Sequence, residues 1–370
     1  MWLAEIQLAD FRNYRQLSLK LEPGSHLFHG ENGEGKTNLV EAVGFLANLE
    51  SHRQGQLSTL VNSDGNTATA AIRANHKGRQ VLVAAELNTG AANRYFLNGK
   101  QQKRATDLLG YVSAVVFAPE DLDLVRRDPS DRRAFLDASM AMLKPRLAGL
   151  RIDYERVLKQ RNALLKSARG VKNPDLGTLD IWDDQLVELG SQITAARLDL
   201  ISQLEPSLQE FYSALAATGE AISLSLVSIS EDEGSEALDQ TRLADQLRRR
   251  LLDTRQRELE RGITLVGPHR DELLIQKAGM PARTHASQGE AWSIALGLKL
   301  ALAELLRQGP AGDPVLILDD VFAVLDPGRR KRLIDFVQGF EQVLVTAADR
   351  ESTPDISWSG IHEVVGGEIR

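Results

Sequence analysis

The 370-residue chain carries 44 Lys+Arg against 51 Asp+Glu, a formal net charge of -7, and is 42% hydrophobic. That length suits two domains, or one domain with a large insertion, and the apolar share allows a sizeable core. The chain has no cysteine, which excludes disulfides, thiolate metal sites and cysteine nucleophiles, and its acidic balance gives nucleic-acid binding no support from overall charge.

The opening stretch MWLAEIQLADFRNY has no apolar targeting core, and no apolar run reaches the ~18 residues of a membrane span. The expectation is a soluble, cytoplasmic protein with no membrane partner. In chain order, short alternating stretches predict strands at 2–8, 16–21 and 26–29, with a Pro-Gly turn at 23–24. Leu39, Val40, Val43 and Leu46 recur at helical spacing and predict a helix over 37–49. Strands are expected at 81–87 and 95–97. From 130 to 215 strand pattern disappears, and Leu147, Leu150, Tyr154, Val157, Leu158, Leu164 and Leu165 mark a long helix, followed by a second over 180–212. Later expectations are strands at 222–229, 264–267, 273–276, 314–318 and 342–346, and helices at 241–261, after Ser287, and at 327–337. An α/β body is thus split by a mostly helical insertion, with no heptad run long enough for an extended coiled coil.

Gly30-Glu31-Asn32-Gly33-Glu34-Gly35-Lys36-Thr37 fits G-x-x-x-x-G-K-T, after a predicted strand and at the start of a predicted helix. Glycines there let backbone N–H groups surround phosphate oxygens, and the helix N-terminus adds partial positive charge. Lys36 is expected at the β- and γ-phosphates of ATP, and the Thr37 hydroxyl on Mg²⁺. Farther on, Val315-Leu316-Ile317-Leu318-Asp319-Asp320 is an apolar strand ending in two acids, as suits the centre of a covered parallel sheet. Asp319 is the expected second Mg²⁺ ligand, and Asp320 the group that orients or deprotonates water. A buried strand followed by an acidic turn is the plainer alternative.

Ser287-Gln288-Gly289-Glu290 opens a strong helix. One reading is a capping box with Ser287 as N-cap and Glu290 at N3. The other is an ABC signature, whose helix start offers N–H groups to the γ-phosphate held by a second subunit; the two are compatible. Asp326 is either the N-cap of the next helix or the D-loop acid of the same superfamily.

Basic residues cluster in mid-chain, with nine Lys/Arg against two acids from Lys144 to Lys172 and seven Arg against four acids from Arg242 to Arg261. Cations on helix faces neutralise phosphates without reading sequence. Arg53, Lys159, Arg161, Arg248 and Arg249 are the DNA-binding candidates, with Arg132, Arg133 and Arg250 behind them. The plainer readings are solvated helix faces or buried ion pairs, for which Arg132 and Arg133, near Asp131 and Asp137, are suspects. His269 is a candidate catalytic group, though a lone histidine is more often structural.

Several stretches together resemble the RecF family of ABC/SMC-like ATPases: Phe11-Arg12-Asn13-Tyr14, the extended loop Gly33 to Ala42, Ser51-His52-Arg53, Pro119-Glu120-Asp121-Leu122, Asp131-Arg132-Arg133-Ala134-Phe135-Leu136-Asp137, Lys159-Gln160-Arg161-Asn162-Ala163-Leu164-Leu165 and Gly267-Pro268-His269-Arg270-Asp271-Glu272-Leu273. The resemblance implies an ABC-type P-loop ATPase head (lobe I, 1–125 and 262–370) with an inserted, mostly helical lobe II (126–261). It implies nucleotide contacts from Arg12 and Asn13 beside Gly30 to Thr37, and an ATP-dependent homodimer in which Ser287 and Gly289 complete the partner's site. It implies weak ATPase activity (catalytic Lys36 and Asp320), sequence-independent binding to duplex DNA and duplex–single-strand junctions, and work with RecR and RecO in loading RecA at gaps during replication and the SOS response.

A transporter nucleotide-binding subunit is the alternative. There the loop-to-signature gap is much shorter than the 251 positions here (287 − 36). The chain departs from the wider ABC pattern in carrying Asp320 where Glu is usual, so hydrolysis is expected to be slow. Thr346-Ala347-Ala348-Asp349 occupies the place of the switch histidine, and Glu120 lies near the expected Q-loop position.

Overall fold

The computed structural model describes residues 1–51, 53, 55–171, 176–227, 239–350, 353 and 356–370. The chain divides into two compact units. One comprises Met1–Leu122, Ser207–Glu220 and Ala286–Arg370, the other Asp123–Pro206 and Ala221–His285.

The first unit contains two six-stranded sheets. The antiparallel sheet runs, edge to edge, Tyr14–Lys20, Trp2–Phe11, Thr67–His76, Arg79–Asn88, Arg94–Leu97 and Lys100–Gln101. The other runs Glu368–Ile369, Trp358–Val365, Gly24–His29, Gln342–Ala347, Val315–Asp319 and Ala114–Phe117. Its five longer strands are parallel, and Glu368–Ile369 pairs antiparallel at one edge. Val315–Asp319 and Gln342–Ala347 are buried at every position, which is why their sequences read as continuous apolar runs. The helix Lys36–Asn48 touches strands of both sheets. Leu39, Val40, Val43, Phe45 and Leu46 are therefore buried around most of its circumference. Each such side chain contributes about 1.5–3 kcal/mol when fully buried. The helix Gln288–Arg307 is similarly enclosed, and its Gly297 admits Leu208 and Tyr212 closely.

The second unit is mostly helical, as expected for the insertion. It holds Pro129–Leu143, Arg146–Ala168 and Gln240–Arg261, with a small antiparallel sheet of Met280–Pro281, Glu272–Lys277 and Ile222–Val227. Gln240–Arg261 starts where Asp239 accepts the Arg242 N–H and stops at Gly262. It buries Leu243, Leu247 and Leu251 at i, i+4, i+8 spacing, along one helix face. Leu179–Ala216, the longest helix among the described residues at 38 residues, carries Pro206 within it and supplies 207–216 to the first unit.

Three expectations need correction. Residues 264–267 form no strand. The backbone N–H of Thr264 donates to Asn162, that of Leu265 donates to Glu258, and Gly267 has φ 124°, so side chains replace a strand partner. The boundaries expected at 125/126 and 261/262 also shift. Residues 262–285 cluster with the helical unit because Glu272–Lys277 pairs with Ile222–Val227, and 207–220 cluster with the first unit, where Gly297 packs on Leu208. Strands Thr67–His76, Ala114–Phe117 and Trp358–Val365 were not expected; the alanine-rich Thr67–His76 has weak strand propensity and is held by neighbours on both sides. Of the strand expected at 222–229, its last two residues lie outside the described residues.

Candidate functional site

Gly30 to Gly35 joins the strand Gly24–His29 to the helix Lys36–Asn48. Gly35 takes φ 118°, and a Cβ there would lie 2.5 Å from the Asn13 amide nitrogen, so only glycine permits both the turn and that approach. The Asn13 amide donates to the Glu34 carbonyl and accepts from Asn38, while the Tyr14 hydroxyl donates to the Gly35 carbonyl. The Phe11-Arg12-Asn13-Tyr14 stretch thus buttresses the loop. Lys36, almost fully buried, donates to the carbonyls of Gly30 and Glu31 at 2.6 and 2.8 Å.

Arg12 makes a two-pronged ion pair with the fully buried Glu41, at 3.0 and 2.7 Å. Ser51 donates to the same carboxylate at 2.5 Å, and Arg53 stands 3.9 Å from it. Glu41 had no expected role. Its signal was a lone carboxylate on an apolar helix face, which must find a cation when buried.

The two acids follow from register. Asp319 ends its strand directly opposite Thr346. Its Oδ1 accepts from the Thr37 hydroxyl at 3.0 Å and from the Thr346 hydroxyl at 2.6 Å. Asp320 sits in the left-handed region, φ 51°, and its N–H donates to the Thr346 hydroxyl at 2.9 Å. Burial, and next the charge of Asp319, hold the Asp320 carboxyl above the ordinary carboxylate range; Lys36 opposes this and Glu120 adds to it.

A cavity of about 780 Å³ opens over this loop. Arg12, Asn13, Asn32, Gly33, Gly35, Lys36, Thr37 and Asp320 line it, so most of the expected nucleotide residues converge. Arg15, Asn62 and Asp64, not foreseen, line it as well. Its donors are cationic, amide and hydroxyl groups, and the Thr37 hydroxyl is bonded to the buried Asp319 carboxylate. That set suits a polyphosphate with a hard divalent cation.

Ser287 and Gly289 do not line that cavity. Ser287 caps its helix, with the capping box to Glu290 complete in both directions. Gly289 lies against the Arg329 guanidinium, which also bonds Ser293 and pairs with Asp326 at 2.5 Å. Asp326 caps its own helix by accepting from the Arg329 N–H.

The DNA-binding candidates separate. Lys159, Arg248 and Arg249 are exposed, Arg248 near Asp184 and Asp245. Arg53 lines the loop cavity and bonds Asn38; His52 beside it lies outside the described residues. Arg161 is a correction. It is fully buried, pairing with Asp183 at 2.6 Å and Glu258 at 2.7 Å and donating to Thr264, so it is out of reach of a DNA phosphate. Arg132 is buried as suspected, but its partner is Glu272, not Asp131 or Asp137. His269 is held between the Tyr154 hydroxyl and the Thr264 carbonyl, within the helical unit that has none of the loop residues.

A parallel sheet with a glycine-rich phosphate loop after one strand and paired acids at the end of another, one lining the loop cavity and the other bonded to the loop's Thr37, defines an ABC/SMC-type P-loop ATPase head. Residues 2–361 match the family RecF/RecN/SMC N terminal domain. The DNA replication and repair protein RecF of Clavibacter michiganensis subsp. michiganensis is 48% identical over 388 residues, covering 100% of this chain and 96% of that one. The RecF of Streptomyces avermitilis is 47% identical over 361 residues, covering 96% of each. A solved structure of the recombination mediator protein RecF-ATPrS in the RecFOR pathway superposes with a TM-score of 0.91 at 27% identity, over 100% of this chain and 97% of that one. The chain belongs to the RecF family.

Proposed function

We propose that this chain is a DNA-binding switch ATPase of recombinational repair that dimerises on ATP. Lys36, Thr37 and Asp320 lining one loop cavity, with Asp319 bonded to the Thr37 hydroxyl, carry the reading. Solved relatives are described as RecF-ATP and RecF-ATPrS in the RecFOR pathway, which supports ATP as the ligand here. Bound Mg²⁺ would supply charge neutralisation for the phosphates, with Thr37 and Asp319 as its protein ligands.

The loop N–H groups and Lys36 would bind phosphate oxygens, and Asp320 would align a water for attack. A carboxylate one methylene shorter than glutamate reaches that water less well, which supports slow turnover to ADP and phosphate and use of ATP as a switch. Ser287 and Gly289, away from the loop cavity of their own chain, are proposed to close the nucleotide site of a second copy. Lys159, Arg248 and Arg249 remain the candidates for sequence-independent contact with duplex DNA and duplex–single-strand junctions. RecR, RecO and RecA loading at gaps are the proposed partners and role, supported by the pathway named for the relatives.

Sedimentation with and without ATP and duplex DNA tests the proposal. The expected result is an ATP-dependent dimer that binds DNA with steep salt dependence. A monomer indifferent to ATP would refute it.

A further inference from the structure

The place where the wider superfamily carries a switch histidine is occupied here by Thr346-Ala347-Ala348-Asp349. Thr346 is fully buried, in a strand paired in parallel register with the one bearing the acids. Its hydroxyl does two things at once. It donates to Asp319 Oδ1 at 2.6 Å and accepts the Asp320 N–H at 2.9 Å. The first bond constrains the Asp319 carboxylate; the second supports Asp320 in a left-handed conformation that few non-glycine residues adopt.

From this geometry we infer that Thr346 is a positioning residue for both acids, one hydroxyl coupling the orientation of the cation-binding carboxylate to the backbone that aims the water-directing one. The inference rests on the proposed ATPase reading. Two hydroxyls meet on Asp319 Oδ1, from Thr37 and Thr346. Thr37 belongs to the loop and is a proposed cation ligand. Thr346 belongs to a buried sheet strand, and its hydroxyl is bonded to both acids, through which it acts. Outer hydrogen-bond partners of this kind fix ligand orientation, and their loss costs metal affinity about 10–100-fold.

Thr346→Val removes the hydroxyl at nearly constant shape, and Thr346→Ser keeps it. In the nucleotide-free protein, the Asp320 amide of Thr346→Val should exchange its hydrogen at least ~tenfold faster than in wild type, because its acceptor is gone. The magnesium concentration that half-saturates its ATP binding should rise ~tenfold, with magnesium-free ATP binding unchanged and kcat falling more than KM rises. Thr346→Ser should behave as wild type in all three, and it also covers the case in which the valine variant does not fold. Wild-type exchange at Asp320 together with wild-type magnesium dependence in Thr346→Val would overturn the inference. A wild-type protein that does not bind ATP in a magnesium-dependent way would instead overturn the ATPase reading and the cation part of the inference, while the exchange measurement still decides the hydroxyl bridge.

Discussion

The loop cavity of the first unit and the ion network of the second are built from the same residue types and use them oppositely. Around the loop, Lys36 and Asp320 face a shared cavity and Asp320 is held above its ordinary titration range. In the helical unit the buried arginines are absorbed by acids of the same unit. Arg161 meets Asp183 and Glu258, Arg197 meets Asp137 and Asp271, and Arg132 meets Glu272. A charge serves a ligand when the fold leaves its counter-charge to be supplied, and serves the fold when the counter-charge is already present. This is why three family-like stretches of the helical unit, those around Arg132, Arg161 and His269, look functional in sequence and prove to be staples.

The comparison breaks most readily at Arg161. Arg161→Ala leaves the fully buried Glu258 without its cation and Asp183 with Arg255 alone, and should destabilise the protein by about 3–5 kcal/mol, read as a lowered urea midpoint. If the midpoint does not move, the network is not what holds the helical unit together.

Asp320→Asn should do the reverse. Turnover should fall by about 10²-fold or more, while stability stays level or rises, because burial already disfavours the charged form of Asp320. Undiminished hydrolysis in steady-state assays would remove Asp320 from its proposed role.

A smaller effect should follow pH. Burial, the largest cause, lowers His269 from 6.5 to about 4, with nearby arginines adding to it. The folded state therefore favours neutral imidazole. Its contribution is complete above pH ~6.5, where both states are neutral, and is lost as pH falls toward about 4, because the unfolded chain takes up the proton first. His362 of the first unit, also lowered to about 4 by burial, acts in the same window. Urea midpoints at pH 7.5 and pH 5 should differ less in His269→Gln than in wild type. An equal difference would mean that the pH response arises elsewhere, such as at His362.

What could be read from the linear chain was whatever depends on neighbours in sequence. The phosphate loop needs glycines and a lysine at fixed spacing between a strand and a helix, and helical spacing marks long amphipathic segments, so Lys36, Thr37 and the helix Pro327–Val337 were legible. The acids Asp319 and Asp320 were legible because a buried parallel strand must be apolar until it ends. The tertiary structure decided everything that depends on register and burial. Parallel pairing alone sets Thr346 opposite Asp319, 27 positions away, and turns a threonine noted only for standing in the place of the switch histidine into a bridge. Burial alone distinguishes Arg161, sealed between two carboxylates, from Lys159 two positions earlier, which faces solvent. On a helix two positions place side chains on different faces, and a basic stretch does not say which face the fold will cover.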